Sequence, residues 1–348
     1  MGDNADITAV RDAHKFNEDN LAAYMEAHVE GYKGPLTVQQ FEGGQSNPTF
    51  LLKTPERDYV MRKKPPGVLL PSAHAVEREY RIMSALQTTD VPVAKTYCLC
   101  EDPEVIGTPF YIMEKVEGRI FRKPELPDMD PAERNAIYDA MNDTLAKMHN
   151  VDFKAVGLED FGKQGNYFER QIGRWSKQYR ASETDHVETM EELIKWLPAN
   201  LPDDDTTTIC HGDYRLENMI IHPTEPRVVA VLDWELCTLG HPLADLAYNC
   251  MTYHFMHPAS GGLVNTDYAA SGIPSEKEYI EAYCKRTDRD GIENWPFYIA
   301  FSFFRLAAIV QGVYKRGLDG NASSERAKTY GAFAQMLSTL GVDAIRKG

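Results

Sequence analysis

Short apolar runs split by polar turns open the chain, and longer runs with helical spacing follow. LTVQQF (36–41), TFLLKT (49–54) and DYVMRK (58–63) are β-rich and separated by EGGQSNP and PERD, which predicts an antiparallel meander. A helix is expected before it, around residues 17–30, ending near Gly31 and Gly34-Pro35. AHAVEREYRIMSAL (73–86) carries Val76, Tyr80, Met83 and Leu86 on one helical stripe. Glu79 falls inside that stripe while Glu77 points away from it. A carboxylate on a buried face needs a cationic partner. Two further strands are predicted, AKTYCLC (94–100) and PFYIMEKV (109–116). Beyond them the pattern turns helical. Asp130 precedes Pro131, with Glu133 three residues on, an N-cap signature. Ile137, Met141, Leu145 and Met148 keep helical spacing after it, and segments 166–180, 185–197, 242–256, 275–287, 294–315 and 323–346 read as mostly helical.

This segregation predicts an α+β protein of two lobes. Residues 1–116 would form a small antiparallel-sheet N-lobe and residues 117–348 a larger, mostly helical lobe. A cleft between lobes is where a ligand would be expected. With 348 residues and 43% apolar content the chain can bury a large core. A net charge of −15 and the lack of a basic stripe argue against a nucleic-acid partner. Six cysteines without a CxxC pair suggest neither a zinc ribbon nor a redox motif. MGDNADITAVRDAHKF lacks the apolar core of a signal peptide. FYIAFSFFRLAAIVQGVY (297–314) contains Arg305 and Gln311, so a buried core helix is expected rather than a membrane span. The expectation is a soluble cytoplasmic protein with no membrane partner, its oligomeric state open.

The chemistry concentrates in CHGDYRLENMIIHPTEPRVVAVLDWE (210–235). Phosphoryl transfer from ATP needs a group beside the attacking hydroxyl, oxygen ligands for Mg2+ and a cation on the phosphates. Asp213 on an irregular loop suits the catalytic base, and Asn218 and Asp233 suit the metal. If 220–223 and 228–232 form a hairpin, its open ends lie side by side and bring Asn218 and Asp233 together across fifteen residues. Arg62 and Lys63 end the third strand and face opposite ways.

H-G-D-x-x-x-x-N followed by D-W-E resembles the aminoglycoside phosphotransferase and choline kinase-like family, relatives of the protein kinases, whose catalytic loop has the same His-x-Asp-x-x-x-x-Asn spacing. GGQSN (43–47) looks like that family's phosphate-covering turn, YVMRK (59–63) its nucleotide-facing strand, REY (78–80) its glutamate-bearing helix, and FYIMEKVEG (110–118) its hinge. RKKPPG (62–67), HGDYRLEN and LDWELCTLGHPLADLAY look like the subgroup related to the phosphotransferase domain fused to acyl-CoA dehydrogenases, expected here as a free-standing domain.

The resemblance implies a protein kinase-like two-lobe fold, with ATP and Mg2+ as cofactors and a small-molecule hydroxyl as acceptor. It makes Asp213 the base and Arg215 the group that neutralises developing charge. Arg62, paired with Glu79, would meet the phosphates, bidentately if geometry allows. Gly44, Ser46 and Asn47 would line the phosphate turn, and Glu114 and Val116 would meet the adenine through backbone groups. Asp245 would brace the catalytic loop and His211 would pack it. Glu235 is a second ligand or a surface charge. Trp175, Tyr179 and Trp196 are acceptor-pocket lining or core. The implied acceptor is a hydroxyacyl-CoA or similar metabolite. An aminoglycoside-type antibiotic kinase and a catalytically silent nucleotide-binding protein of the same fold are the alternatives. The missing A-P-E segment and the short stretch from Asp233 to Asp245 argue against a protein kinase.

Overall fold

The β-rich runs of the first third become one sheet. A computed structural model describes residues 7–42, 47–65, 74–257, 260–320, 327 and 329–347. In it β1 (Ile7–Thr8), β2 (Thr37–Phe41), β3 (Thr49–Lys53), β4 (Tyr59–Lys63), β5 (Thr96–Cys100) and β6 (Phe110–Glu114) pair antiparallel in the order β1-β2-β3-β4-β6-β5. The two-residue period of β4 and β6 sorts their side chains between the faces. Tyr59, Met61, Phe110 and Ile112 join Phe50 and Leu52 in a core closed by Leu21 and Met25 of α1 (Glu18–His28). Arg62 and Tyr111, partners across β4 and β6, lie on the other face with α2 (Val76–Leu86). α2 buries Val76, Glu79, Ile82, Met83 and Leu86. Ile82, rather than the expected Tyr80, completes that face, because Tyr80 is only half-buried. A short α3 (Pro103–Ile106) joins β5 to β6.

The chain forms two compact units, and they do not divide it at one point. One comprises Met1–Phe121, Lys154–Leu158 and Leu216–Cys237; the other comprises Arg122–Phe153, Glu159–Arg215 and Thr238–Gly348. The expected hairpin forms in the first unit, β8 (Met219–Ile221) against β9 (Val228–Val231). Ile221 exchanges backbone hydrogen bonds with Arg119, and the Val231 N–H donates to the Pro92 carbonyl at 2.9 Å. Gly118 allows this approach: an added Cβ would stand 2.3 Å from both Ile220 Cγ2 and the Ile221 carbonyl oxygen.

The second unit is helical. It contains α4 (Pro131–His149), α5 (Tyr167–Ser182), α6 (Glu188–Ala199), α7 (Pro242–Cys250), α8 (Tyr268–Ser271), α9 (Glu276–Arg286), α10 (Trp295–Leu318) and α11 (Gly331–Lys347). Small strand pairs join β7 (Thr208–Cys210) to β10 (Thr238–Gly240) and β11 (Met256–His257) to β12 (Gly261–Gly262). Asp130 caps α4 as expected, accepting from the Glu133 N–H at 2.9 Å. α10 has the length and composition to cross a membrane, yet 78% of its most apolar window is buried inside the fold. Gln311 spends its amide on the Ser182 carbonyl at 2.8 Å. The expected last helix starts at Gly331; most of the predicted stretch before it lies outside the described residues. All six cysteines are buried.

Candidate active site

In the unit that holds the sheet, the candidate residues gather around one guanidinium. Arg62 Nε lies 3.2 Å from Glu79 Oε2, Nη1 lies 3.5 Å from Asp233 Oδ1, and Nη2 lies 3.8 Å from Glu235 Oε2. The partner required by a carboxylate on the buried stripe of α2 is therefore Arg62. Glu79 is 1% exposed and also accepts from the Tyr111 hydroxyl at 2.9 Å and the Asn47 amide at 2.7 Å. Burial lifts its pKa, and the Arg62 charge with those two hydrogen bonds holds the rise back. Burial works against the charge on Arg62 as well, but Tyr111 and the carboxylates outweigh it and raise its pKa. Lys63 takes the other face, its Nζ 5.3 Å from the Phe16 ring centre, and burial lowers its pKa.

Asp233 sits where the hairpin strand turns into a 3-10 turn, at φ +64°. That left-handed conformation costs a non-glycine residue roughly 1–2 kcal/mol and is a form of strain that clusters at functional sites. Two local bonds hold it. The Trp234 indole donates to the Val231 carbonyl at 2.9 Å, and the Leu232 N–H donates to the Asn218 carbonyl at 2.8 Å. The latter ties the two open ends of the hairpin together, so Asn218 and Asp233 are neighbours despite their separation in sequence. Asn218, Asp233 and Glu235 supply hard oxygen donors with few carboxylates, a set that suits magnesium.

The other expected nucleotide groups are placed less uniformly. Gly44 and Ser46 lie outside the described residues. Asn47 is fully buried, with its amide on Glu79 and its carbonyl oxygen 3.2 Å from His74 Nδ1. The side-chain amide thus braces the buried carboxylate of Glu79. Glu114 gives its N–H to the Lys95 carbonyl at 2.7 Å, so that donor is already used within the sheet. Val116 is half-buried in the irregular stretch after β6.

In the helical unit, the loop after β7 carries Asp213. Gly212 adopts φ +84°, a region glycine enters without penalty. Asp245 accepts from the N–H groups of His211 at 2.5 Å and Gly212 at 2.8 Å, so the brace expected of it is present. Burial opposes its charge, but His149, His211 and the Gly212 N–H more than compensate and lower its pKa. His211 is fully buried and takes the Asp213 N–H on Nδ1 at 3.2 Å, a packing role. Arg215 Nε stands 3.4 Å from Asp213 Oδ1.

Three contacts to this loop were not anticipated from the sequence. The Tyr248 hydroxyl donates to Asp213 Oδ1 at 2.6 Å, Asn249 donates to the Tyr214 carbonyl at 3.3 Å, and Arg305 Nη2 donates to the Gly212 carbonyl at 2.7 Å. A signal existed for Arg305, a cation inside an apolar helix, and for Tyr248, three residues after Asp245 on the same helix. His241 caps α7 by accepting from the Leu243 N–H at 3.2 Å. Tyr179 is core, and the Trp175 indole is turned to Gln171 at 3.0 Å. Trp196 is half-buried and packs on Phe297.

Comparison with known proteins places the chain in a family. Residues 37–283 match the model of the phosphotransferase enzyme family. Acyl-CoA dehydrogenase family member 10 of Mus musculus is 48% identical over 341 residues, which cover 97% of this chain and 32% of that protein. The chain spans less than half the length of such curated relatives. A Ralstonia eutropha crystal structure, provisionally named an aminoglycoside phosphotransferase, shares 53% identity and a TM-score of 0.89, covering 96% of this chain and 99% of its own. A thermostable mutant of aminoglycoside phosphotransferase APH(4)-Ia, solved with ADP and hygromycin B, superposes with a TM-score of 0.60 at 14% identity, covering 92% of this chain and 97% of its own. The fold is a kinase-like phosphotransferase fold, and the chain belongs to the phosphotransferase enzyme family.

Proposed function

We propose that the protein transfers the terminal phosphoryl group of Mg-ATP to a hydroxyl group of a small molecule. The observation that carries this reading is Arg62, held between buried Glu79 and the hairpin end that presents Asp233 and Asn218. Kinase-type phosphoryl transfer requires this lysine-like cation, its glutamate and a metal carboxylate together. Arg62 binds phosphate oxygens, with Glu79 fixing its orientation, and the Glu114 carbonyl and Val116 N–H meet the adenine. Asn218 and Asp233 hold magnesium, which supplies charge neutralisation on the phosphates when bound. Asp213 accepts the proton of the acceptor hydroxyl and Arg215 offsets charge on the transferring group. The ADP bound to APH(4)-Ia supports nucleotide use. The acyl-CoA dehydrogenase names of the curated relatives favour a hydroxyacyl thioester as acceptor.

The test is a screen of hydroxyacyl-CoAs, aminoglycosides, choline and sugars with Mg-ATP, scored by phosphorylated product. Asp213→Asn is expected to reduce turnover on the best acceptor by about 100-fold or more, the range for a positioned general base. Equal turnover by that variant rejects the role of Asp213. Nucleotide binding without product from any acceptor favours the silent alternative.

A further inference from the structure

Residues 245, 248 and 249 fall on one face of α7, at the i, i+3 and i+4 spacing that makes neighbours on a helix. Each grips a different part of the loop: Asp245 the N–H groups of His211 and Gly212, Tyr248 the carboxylate of Asp213, Asn249 the carbonyl of Tyr214. Arg305 adds the Gly212 carbonyl, and its guanidinium carbon stands 5.5 Å from the centre of the Tyr248 ring. Of these contacts, the one from Tyr248 reaches the Asp213 side chain itself. At 2.6 Å it has the length of a hydroxyl bonded to a charged carboxylate. Burial and the nearby Asp213 charge raise the phenol pKa, so the hydroxyl remains a donor.

Arg215 competes for the same carboxylate oxygen at 3.4 Å and is 49% exposed on a flexible stem. We propose that Tyr248 is the positioning residue of Asp213: its hydroxyl fixes the orientation of the carboxylate that Arg215 also approaches. The inference rests on the reading of Asp213 as the base. Tyr248 acts through Asp213, which its hydroxyl reaches at 2.6 Å.

Two measurements test it. Turnover is read as phosphate release from Mg-ATP with water as acceptor, for Tyr248→Phe, Asp213→Asn and the double variant. Tyr248→Phe should lower kcat about tenfold, as loss of one hydrogen bond to a charged group does, with KM for ATP within about twofold. In the Asp213→Asn background it should cause no further loss, the non-additivity expected of residues that act as one. Losses that multiply in the double variant, or a change confined to KM, overturn the proposal. Separately, a ring-fluorinated tyrosine at position 248 keeps the hydroxyl and needs neither nucleotide nor acceptor. Its fluorine NMR signal should move on Asp213→Asn and stay in place on Arg346→Ala, an exposed arginine of α11 paired with Glu192; an unmoved signal in both rejects the contact. If the wild type transfers phosphate neither to water nor to any acceptor of the screen, the proposed function fails, and the fluorine comparison still decides whether Tyr248 holds Asp213.

Discussion

Arg62 serves three carboxylates with one fork of donors, and only 12% of its side chain is exposed. Its removal would leave Glu79 buried without a counter-charge. Arg62→Met is therefore expected to destabilise the protein by about 3–5 kcal/mol, the usual result of breaking a buried pair from one side. Urea denaturation should show this as a lower midpoint with an unchanged slope. A lysine there keeps the charge but cannot divide three nitrogens among Glu79, Asp233 and Glu235, so Arg62→Lys should recover only part of the loss. Asn47 shows the limit of residue-level reading. Its place in a glycine-rich turn suggested a donor, and burial gives its amide to Glu79. A turn motif identifies residues able to donate; only packing says to whom.

At the scale of elements, α7 and the loop after β7 behave as one piece, because the loop's backbone groups are satisfied by side chains rather than by a ladder. Asp245 takes two N–H groups on a carboxylate that is itself buried. Its loss would leave both donors without that partner, at about 1–3 kcal/mol each. Asp245→Ala should accordingly speed amide hydrogen exchange at His211 and Gly212 while the amides of the Met219–Ile221 hairpin strand exchange as before. Much at this scale was legible beforehand. The cap at Asp130, the buried stripe containing Glu79 and a hairpin of 220–223 with 228–232, which the structure forms as 219–221 with 228–231, follow from local spacing, which needs only the next turn or strand. Tyr248 and Arg305 were not legible as partners of the loop, since their contacts span 35 and 93 residues.

Across the whole molecule, a net charge of −15 makes the acidic range the one to examine for stability. His241 is a named contributor. Burial depresses its pKa to about 4, against the pull of Asp204 at 3.3 Å. Burial wins, so the folded protein holds this ring neutral. Above the unfolded value of about 6.5 neither state binds the proton and nothing is lost. As pH falls from there toward 4 the unfolded chain binds a proton that the folded one refuses, and stability drops by up to about 3 kcal/mol. His241→Gln should flatten the denaturation midpoint over that interval. Asp204, whose pKa lies below the usual carboxylate range through bonds from Thr206 and Arg289 despite its burial, adds a further loss at lower pH.

The sequence by itself determined the order of strands and helices, the loop that carries Asp213 and Asn218, and the face of α2 that needs a cation, because periodicity and capping act over a few residues. The tertiary structure alone decided that Arg62 also meets Glu235, that Asn47 braces Glu79, and that Tyr248 and Arg305 reach the Asp213 loop. Those pairings depend on which buried polar groups packing brings within hydrogen-bond distance, and short-range pattern carries no record of that.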